Sequence, residues 1–270
     1  MGGGNDDHCN RVARCAWTDD VTLVLVGKVG YGKSATANSI LGCNAFESKR
    51  SYASVTGTCQ MRSTSLRVGN VIRTANVIDT PGLFDMGISV KEAGKEITKS
   101  MDMAKEGMHA MLMVLTAASR LSPEDEETME YIKLFFGDKI VDHMIFVFTN
   151  GDQVQETDWK SMLDNSAPGY LKDMIRRCKN RVILFDNKTK DIQKRDAQLK
   201  QLLNLVNSVI LSNCGKPFSN LMFTHMKKAH DKLKELDAEG CPDKQTSELK
   251  KARCDEYLAP INKMDWNVPP

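Results

Sequence analysis

Short apolar runs alternate with amphipathic stretches along most of the chain, and their lengths separate strands from helices. Almost uninterrupted apolar runs predict strands that are buried on both faces of a sheet. Such runs lie at Val21–Val26, Ala110–Thr116, Met144–Thr149 and Arg181–Phe185. Two further runs flank Gly69-Asn70, a typical two-residue hairpin turn, and predict an antiparallel pair. This pair comprises Ser65–Val68 and Val71–Ile78.

Helices are predicted where apolar residues recur at helical spacing or where capping residues stand. The stretch Lys33–Leu41 follows the first strand, and Ala197–Leu211 places its leucines and valines on one face. Ser122-Pro123 begins a third helix, because Ser is a favoured N-cap and Pro fits the first turn. This helix is predicted to run to Phe136.

This order of elements predicts an α/β fold: a three-layer domain with a mostly parallel sheet, helices on both faces and one antiparallel strand from the hairpin. The predicted organisation is a loose lead-in at residues 1–20, one globular domain at residues 21–215 and a charged helical extension at residues 216–270. In such folds, ligands bind at the carboxyl ends of the strands.

Composition narrows the function classes. The 37 basic and 35 acidic side chains give a net charge of +2, which provides no electrostatic footprint for nucleic acid. The 8 cysteines contain no C-x-x-C pair, so free thiols in a reducing compartment are expected rather than a zinc site. The apolar runs are well short of the ~20 residues of a membrane-spanning helix. We expect a cytoplasmic protein without an integral membrane segment; peripheral contact with an internal membrane stays open.

The segment after the first strand matches the phosphate-loop pattern G-x-x-x-x-G-K-S. Its glycines let backbone N–H groups close around a phosphate, and the N-terminus of the following helix adds a favourable dipole. Lys33 is expected to reach the β- and γ-phosphates, and Ser34 to place its hydroxyl on Mg²⁺. The candidate phosphate-binding residues are Gly27, Lys28, Val29, Gly30, Tyr31, Gly32, Lys33 and Ser34.

A second motif, Asp79-Thr80-Pro81-Gly82, follows the second strand of the hairpin. D-T-P-G alone is a common turn, but downstream of a phosphate loop it indicates a nucleotide switch. Asp79 is expected to hold Mg²⁺, usually through a water, while the Gly82 N–H meets a γ-phosphate.

A third motif, Thr149-Asn150-Gly151-Asp152, stands where guanine-specific proteins usually carry Asn-Lys-x-Asp. Asp152 keeps the acceptor for the N1–H and N2 amine of guanine, and it is a poor partner for the adenine edge. Two charge-assisted hydrogen bonds of roughly 1.5–3 kcal/mol each favour guanine over adenine. The lysine that usually covers one face of the base is missing from this motif.

Together with these motifs, Asn38-Ser39-Ile40-Leu41-Gly42 and Leu184-Phe185-Asp186-Asn187-Lys188 resemble the AIG-type guanine-nucleotide-binding proteins, the immune-associated nucleotide-binding proteins of plants and animals. The resemblance is to a plant member and covers about Val21 to Phe223. It implies a P-loop GTPase domain that binds GTP or GDP with Mg²⁺. It also implies a homodimer or oligomer formed through the nucleotide face, and a role in stress or defence responses.

The resemblance also implies individual site residues. Ala35 and Ser48 match positions near the nucleotide, and Asn187 matches a base-contacting asparagine. Thr56 and Thr58 are both candidates for the switch threonine that senses Mg²⁺, and the sequence does not choose between them. The predicted metal ligands are Ser34, Asp79 and, of the two threonines, Thr58.

No catalytic residue is assigned from the sequence. Leu83 stands where many GTPases place a glutamine that orients water, so slow hydrolysis that depends on dimerisation is expected. Arg50 and Arg120 are conceivable contacts in trans, although a solvated arginine is the more common fate. The alternative function is a nucleotide-held oligomerising or binding module with negligible turnover. A phosphate-loop kinase is disfavoured, because no acceptor pocket or arginine-rich lid is visible.

Overall fold

The computed structural model describes residues 20–49, 56–82, 90–104 and 106–220. Within these ranges the chain forms a six-stranded sheet in the order β2-β3-β1-β4-β5-β6. All neighbouring strands are parallel except the pair β2 and β3, which is antiparallel. The strands are β1 (Asp20–Val26), β2 (Gln60–Val68), β3 (Val71–Asp79), β4 (Ala110–Thr116), β5 (Met144–Thr149) and β6 (Val182–Leu184).

Helices cover both faces of the sheet and complete the three layers. They are α1 (Lys33–Leu41), α2 (Val90–Met103), α3 (Pro123–Phe136), α4 (Glu156–Asn165), α5 (Gly169–Arg177) and α6 (Ile192–Ser212), with a 3₁₀ helix at Asp138–His143. Helices α1 and α6 pack on one face, and α2 to α5 pack on the other. The predicted three-layer fold with one antiparallel pair is therefore confirmed.

The central strand β4 explains why its sequence shows no alternation. All seven residues of β4 are buried. Met111, Met113 and Leu115 face the layer of α2 to α5, whereas Leu112 and Val114 face the layer of α1 and α6. Because successive side chains point to opposite faces of a sheet, a strand buried on both faces must be apolar throughout.

Several elements begin and end at the residues that the sequence predicts, including α1, α3, β4 and β5. Strand β2 begins at Gln60 rather than at Ser65, and α6 begins at Ile192 rather than at Ala197. The additional β2 residues lie on the exposed edge of the sheet and carry no apolar alternation. Helices α2, α4 and α5 were not predicted; only Trp159 of α4 is buried, so its apolar signal is weak.

Residues 216–220 run alongside the start of β4. Phe218 is buried, pairs with Met108 through two backbone hydrogen bonds, and packs its ring against Phe136 and His143. The rest of the helical extension predicted from residue 216, and the lead-in before residue 20, lie outside the described residues. Among the residues that are described, no helix has the length and apolarity to cross a membrane.

Candidate nucleotide-binding site

A cavity of about 430 Å³ opens at the carboxyl ends of the strands. The loops that follow β1, β3, β5 and β6 surround it, and residues 47–49 and Thr56 complete its rim. This is the edge of the sheet at which ligands bind in open α/β folds. The topology therefore brings together all three motifs that the sequence singles out.

The phosphate loop depends on glycine at two positions for different reasons. Gly27 has φ +143°, and a Cβ added there would lie 2.3 Å from the Val114 carbonyl oxygen, so the loop leaves β1 against the backbone of β4. Gly32 has φ +89° and is the N-cap of α1, where it forms no side-chain cap hydrogen bond. The first N–H groups of the helix lie at the cavity and are suited to bind an anion.

Lys33 folds back across the loop that precedes it. Its Nζ donates to the Gly27 and Lys28 carbonyl oxygens at 2.8 and 2.9 Å. The side chain is buried, so its ammonium is held at the cavity wall rather than free in solvent. A buried ammonium beside the N-terminus of α1 makes this end of the cavity electropositive.

Beside the loop, two hydroxyls meet a buried carboxylate. Ser34 Oγ donates to Asp79 Oδ2 at 2.6 Å, and Thr56 Oγ1 lies 3.1 Å from Ser34 Oγ and 3.4 Å from Asp79 Oδ2. Asp79 is fully buried, and its Oδ1 has no hydrogen-bond partner among the described residues. Burial raises the pKa of Asp79, against the opposing effects of Ser34, Lys33 and Thr56. A hard cation such as Mg²⁺ fits this set of oxygens.

Thr58 lies apart from this cluster. Its hydroxyl donates to the Glu96 carboxylate of α2 at 3.1 Å, and it also contacts Lys99. The same carboxylate accepts the Cys59 N–H at 2.8 Å. Of the two candidate switch threonines, the structure brings Thr56 and not Thr58 to Ser34 and Asp79, because Glu96 engages Thr58.

At the other end of the cavity, Asp152 is paired with a lysine from a different loop. Lys188 Nζ lies 2.7 Å from Asp152 Oδ2 and 3.4 Å from Asn150 Oδ1. Asn150 adopts φ +60°, and its Nδ2 donates to Thr116 Oγ1 at 2.9 Å. Thr149 Oγ1 donates to the Tyr31 carbonyl at 2.7 Å and ties this loop to the phosphate loop.

Asn187 is held by helix α1. Its Nδ2 donates to Thr36 Oγ1 at 2.9 Å, and its Oδ1 accepts from Ser39 Oγ at 2.8 Å. The side chain therefore positions the loop after β6 against α1 while also lining the cavity.

Residues 21–237 match the AIG1 family. The chain belongs to the AIG1 family. It is 40% identical over 237 residues to immune-associated nucleotide-binding protein 9 of Arabidopsis thaliana, a match that covers 85% of this chain and 68% of that protein. Immune-associated nucleotide-binding protein 8 of Arabidopsis thaliana is 39% identical over 235 residues, and this match covers 85% of this chain and 66% of that protein. The AIG1 chain thus spans about two thirds of the length of these relatives.

Crystal structures of Toc33 from Arabidopsis thaliana share the fold of this AIG1 chain. The complex of Toc33 with GDP and Mg²⁺ has a TM-score of 0.58 at 21% identity and covers 75% of this chain and 89% of Toc33. A dimerization-deficient arginine-to-alanine mutant of Toc33 has a TM-score of 0.55 at 22% identity, and the match covers 73% of this chain and 86% of the Toc33 chain. The architecture is therefore that of the P-loop GTPases.

Most of the residues predicted from the AIG1 sequence line the cavity. The lining includes Val29, Gly30, Gly32, Lys33, Ser34, Ala35, Ser48, Thr56, Gly82, Asp152 and Asn187. Asp79 lies behind Ser34, and Thr58 is outside the lining. Glu47 and Lys49 also line the cavity and were not singled out from the sequence. Thr80, Thr149, Asn150 and Lys188 line it too; they stand within the motifs, but no role of their own was assigned to them from the sequence. Arg50 and Leu83 lie outside the described residues.

Two residues of the phosphate loop turn their side chains to α3 instead. Lys28 Nζ lies 3.3 Å from Ser122 Oγ and 3.4 Å from Glu124, and the Tyr31 hydroxyl donates to Asp125 at 3.2 Å. The loop before α3 therefore lies beside the phosphate loop.

No cluster of three or more His, Cys, Asp or Glu side chains within the described ranges could hold another metal ion.

Proposed function

We propose that this AIG1 chain binds a guanine nucleotide with Mg²⁺ and acts as a GTP-binding switch. The observation that carries the proposal is the cluster of Ser34, Thr56 and Asp79 beside Lys33. It places oxygen ligands for a cation next to a cationic anion-binding loop. Structures of Toc33 with GDP and Mg²⁺ and with Mg²⁺ and GMPPNP support the same assignment.

Mg²⁺ would be held by Ser34 and Thr56 directly and by Asp79 through a water or its unpartnered oxygen. When bound, the ion neutralises charge on the phosphates. The hydroxyls of Ser34 and Thr56 already contact each other, so both would face the same ion. Thr56 replaces Thr58 as the proposed switch threonine.

Guanine is the proposed base because the only carboxylate among the described lining residues at the far end of the cavity is that of Asp152. A carboxylate accepts from the N1–H and N2 amine of guanine, whereas adenine offers it one donor and one acceptor. A site built to pair with both donors rejects the analogue that lacks them.

We further propose that hydrolysis is slow and depends on dimerisation across the nucleotide face. Arg120 is exposed on the loop before α3, two residues from the Ser122 hydroxyl that Lys28 reaches. This arginine is therefore available at the rim of the phosphate loop to a second copy of the chain. The dimerization-deficient mutant of Toc33 supports a role for dimers in this fold.

Leu83 in place of a water-orienting glutamine favours a second candidate, a nucleotide-held module that oligomerises with negligible turnover. A role in defence is proposed from the names of the relatives.

The described cysteines are Cys43, Cys59, Cys178 and Cys214, and all four are free thiols. Free thiols support a reducing compartment such as the cytoplasm.

The test is GTP turnover with Mg²⁺ over a wide range of protein concentration. Specific activity that rises with concentration supports the switch, because association then completes the site. Tight GTP binding with flat, near-zero turnover supports the binding module. An Arg120→Ala variant that turns over GTP like the wild type at every concentration contradicts a contribution of this arginine in trans. Absence of GTP binding contradicts both candidates.

A further inference from the structure

The loop after β6 contributes a lysine to the base end of the cavity. Lys188 lines the cavity, and its Nζ lies 2.7 Å from Asp152 Oδ2 and 3.4 Å from Asn150 Oδ1. The two partners are 36 and 38 residues away along the chain. The ammonium therefore stands next to the carboxylate that is proposed to bind the base.

Lys188 sits on a braced loop rather than on a free surface segment. Asp186 Oδ1 accepts the backbone N–H groups of Lys188 and Thr189 at 2.9 and 3.0 Å, and Asp186 Oδ2 accepts from Lys194 Nζ at 2.7 Å. Gln198 of α6 forms two further hydrogen bonds with the Asp186 backbone, both at 3.0 Å. This bracing fixes the backbone from which the Lys188 side chain projects.

The loop that carries Asp152 cannot easily supply a side chain of its own at residue 151. A Cβ added at Gly151 would lie 3.1 Å from Leu184 Cγ and 3.3 Å from the Phe185 carbonyl oxygen, because the loop packs closely on the end of β6. The close packing leaves the position next to Asp152 to a group from the neighbouring loop.

The edge of guanine offers three groups in a row: the N2 amine and N1–H as donors, then O6 as an acceptor. Asp152 can accept from the two donors, and the group needed beside it is a hydrogen-bond donor. An ammonium has three N–H donors, of which two point to Asp152 and Asn150. The third N–H donor of Lys188 is available next to the Asp152 carboxylate.

We propose that Lys188 is a specificity-determining residue that donates a hydrogen bond to guanine O6 while Asp152 accepts from N1–H and the N2 amine. The inference rests on the proposed function and deepens it. Asp152 and Lys188, from two different loops, would together recognise the two donors and the acceptor on the edge of guanine. Adenine carries an amine where guanine has O6, so it would set a donor against the ammonium.

The test measures affinity for three diphosphates by titration calorimetry in Mg²⁺: GDP, inosine diphosphate and the diphosphate of 2-aminopurine riboside. Hypoxanthine keeps O6 and N1–H but lacks the N2 amine, whereas 2-aminopurine keeps the N2 amine but lacks both O6 and N1–H. The variants are Lys188→Met, which removes the charge and keeps an unbranched chain, and Lys188→Arg, which keeps donors. Lys190→Met is the matched control, since Lys190 is exposed on the same loop.

Lys188→Met is expected to lower the affinity for GDP and for inosine diphosphate by the same factor, about tenfold. The affinity for the 2-aminopurine nucleotide is expected to change by less than about twofold. Lys188→Arg is expected to recover part of the loss, and Lys190→Met to match the wild type. An equal loss for all three nucleotides would overturn the proposal, since the lysine would then act on the phosphates or the loop. A gain in GDP affinity would also overturn it, because Lys188 would then mask Asp152.

The role of Lys188 and the guanine site itself can be tested separately. If Lys188→Met leaves GDP affinity unchanged while Asp152→Asn removes the preference for guanine, the role of Lys188 is wrong and the proposed function stands. If the wild type shows no preference for GDP over ADP, the proposed guanine site itself is wrong.

Discussion

The two ends of the cavity are built in contrasting ways. At the phosphate end, Lys33 and Asp79 are buried, and their contacts come from the continuous segment β1, loop and α1 together with the end of β3. At the base end, Asp152 and Lys188 have side chains that are 30% and 45% exposed and come from loops far apart in the sequence. The phosphate end is built around buried side chains, whereas the base end is assembled at the surface.

The contrast implies different energetics. A buried ammonium interacts strongly with phosphates because solvent screening is weak. A partly exposed ion pair such as Asp152 with Lys188 is worth little to fold stability. We therefore expect affinity to depend mainly on the phosphate end and the choice of base on the other end.

The largest effect is expected at the phosphate end. Lys33→Ala removes charge-assisted contacts to two phosphates and should weaken GDP and GTP about a thousandfold, roughly 4 kcal/mol. The loss should be the same for any purine nucleotide. Equilibrium titration measures it, with Lys190→Ala as the control. A loss that is smaller than that of Asp152→Asn would reverse the assignment of affinity to the phosphate end.

This end was also the part that sequence could predict. Gly27, Lys33, Ser34 and Asp79 belong to short motifs whose spacing predicts their chemistry, and each motif follows a strand with a clear apolar pattern. The pairing of Lys188 with Asp152 gave no such signal, because only the packing of β6 beside β5 brings the two loops together.

The choice between Thr56 and Thr58 was beyond the sequence for a related reason. The two threonines stand two residues apart in one loop, and only their long-range contacts separate them. Thr56 contacts Ser34 and Asp79, whereas Thr58 contacts Glu96 on α2. Helix α2 itself was not predicted. Long-range contacts of this kind carry no local pattern.

The next effect should arise at the opposite edge of the sheet and spare the nucleotide site. Burial, with the nearby charges of His143 and Arg73, lowers the pKa of His109 from 6.5 to about 4. Burial also lowers the pKa of His143. The unfolded chain binds more protons between these values, so stability is full above about pH 6.5 and falls towards about pH 4.

For His109 this loss amounts to about 3 kcal/mol of unfolding free energy. Chemical denaturation at a series of pH values measures it. In a His109→Gln variant, the slope of the unfolding free energy against pH should be smaller by about 1.4 kcal/mol per pH unit between about pH 4 and about pH 6.5. Profiles of equal slope in variant and wild type would contradict a neutral buried His109.

At the base end, Asp152→Asn should weaken GDP about a hundredfold, close to 2.7 kcal/mol, because the amide opposes one of the two guanine donors. Xanthosine diphosphate, which offers an acceptor in place of the N2 amine, should bind this variant better than it binds the wild type. Competition titrations measure both. Unchanged selectivity between GDP, ADP and xanthosine diphosphate would show that Asp152 does not contact the base.

The smallest effect separates the two threonines. Thr56→Val should reduce the gain in GTP affinity that Mg²⁺ provides by about tenfold, since one oxygen ligand is lost. Thr58→Val is the matched control and should change this gain by less than about twofold. Titrations with Mg²⁺ and with a chelator measure both variants. The opposite ranking would restore Thr58 as the switch threonine.

We propose that one cavity binds the phosphates with Mg²⁺ at one end and guanine at the other. The most direct test is calorimetric titration of the purified chain with GDP and with ADP, both in Mg²⁺. We expect GDP to bind saturably and ADP to bind at least about a hundredfold more weakly. Equal affinities, or no binding of either nucleotide, would contradict this proposal.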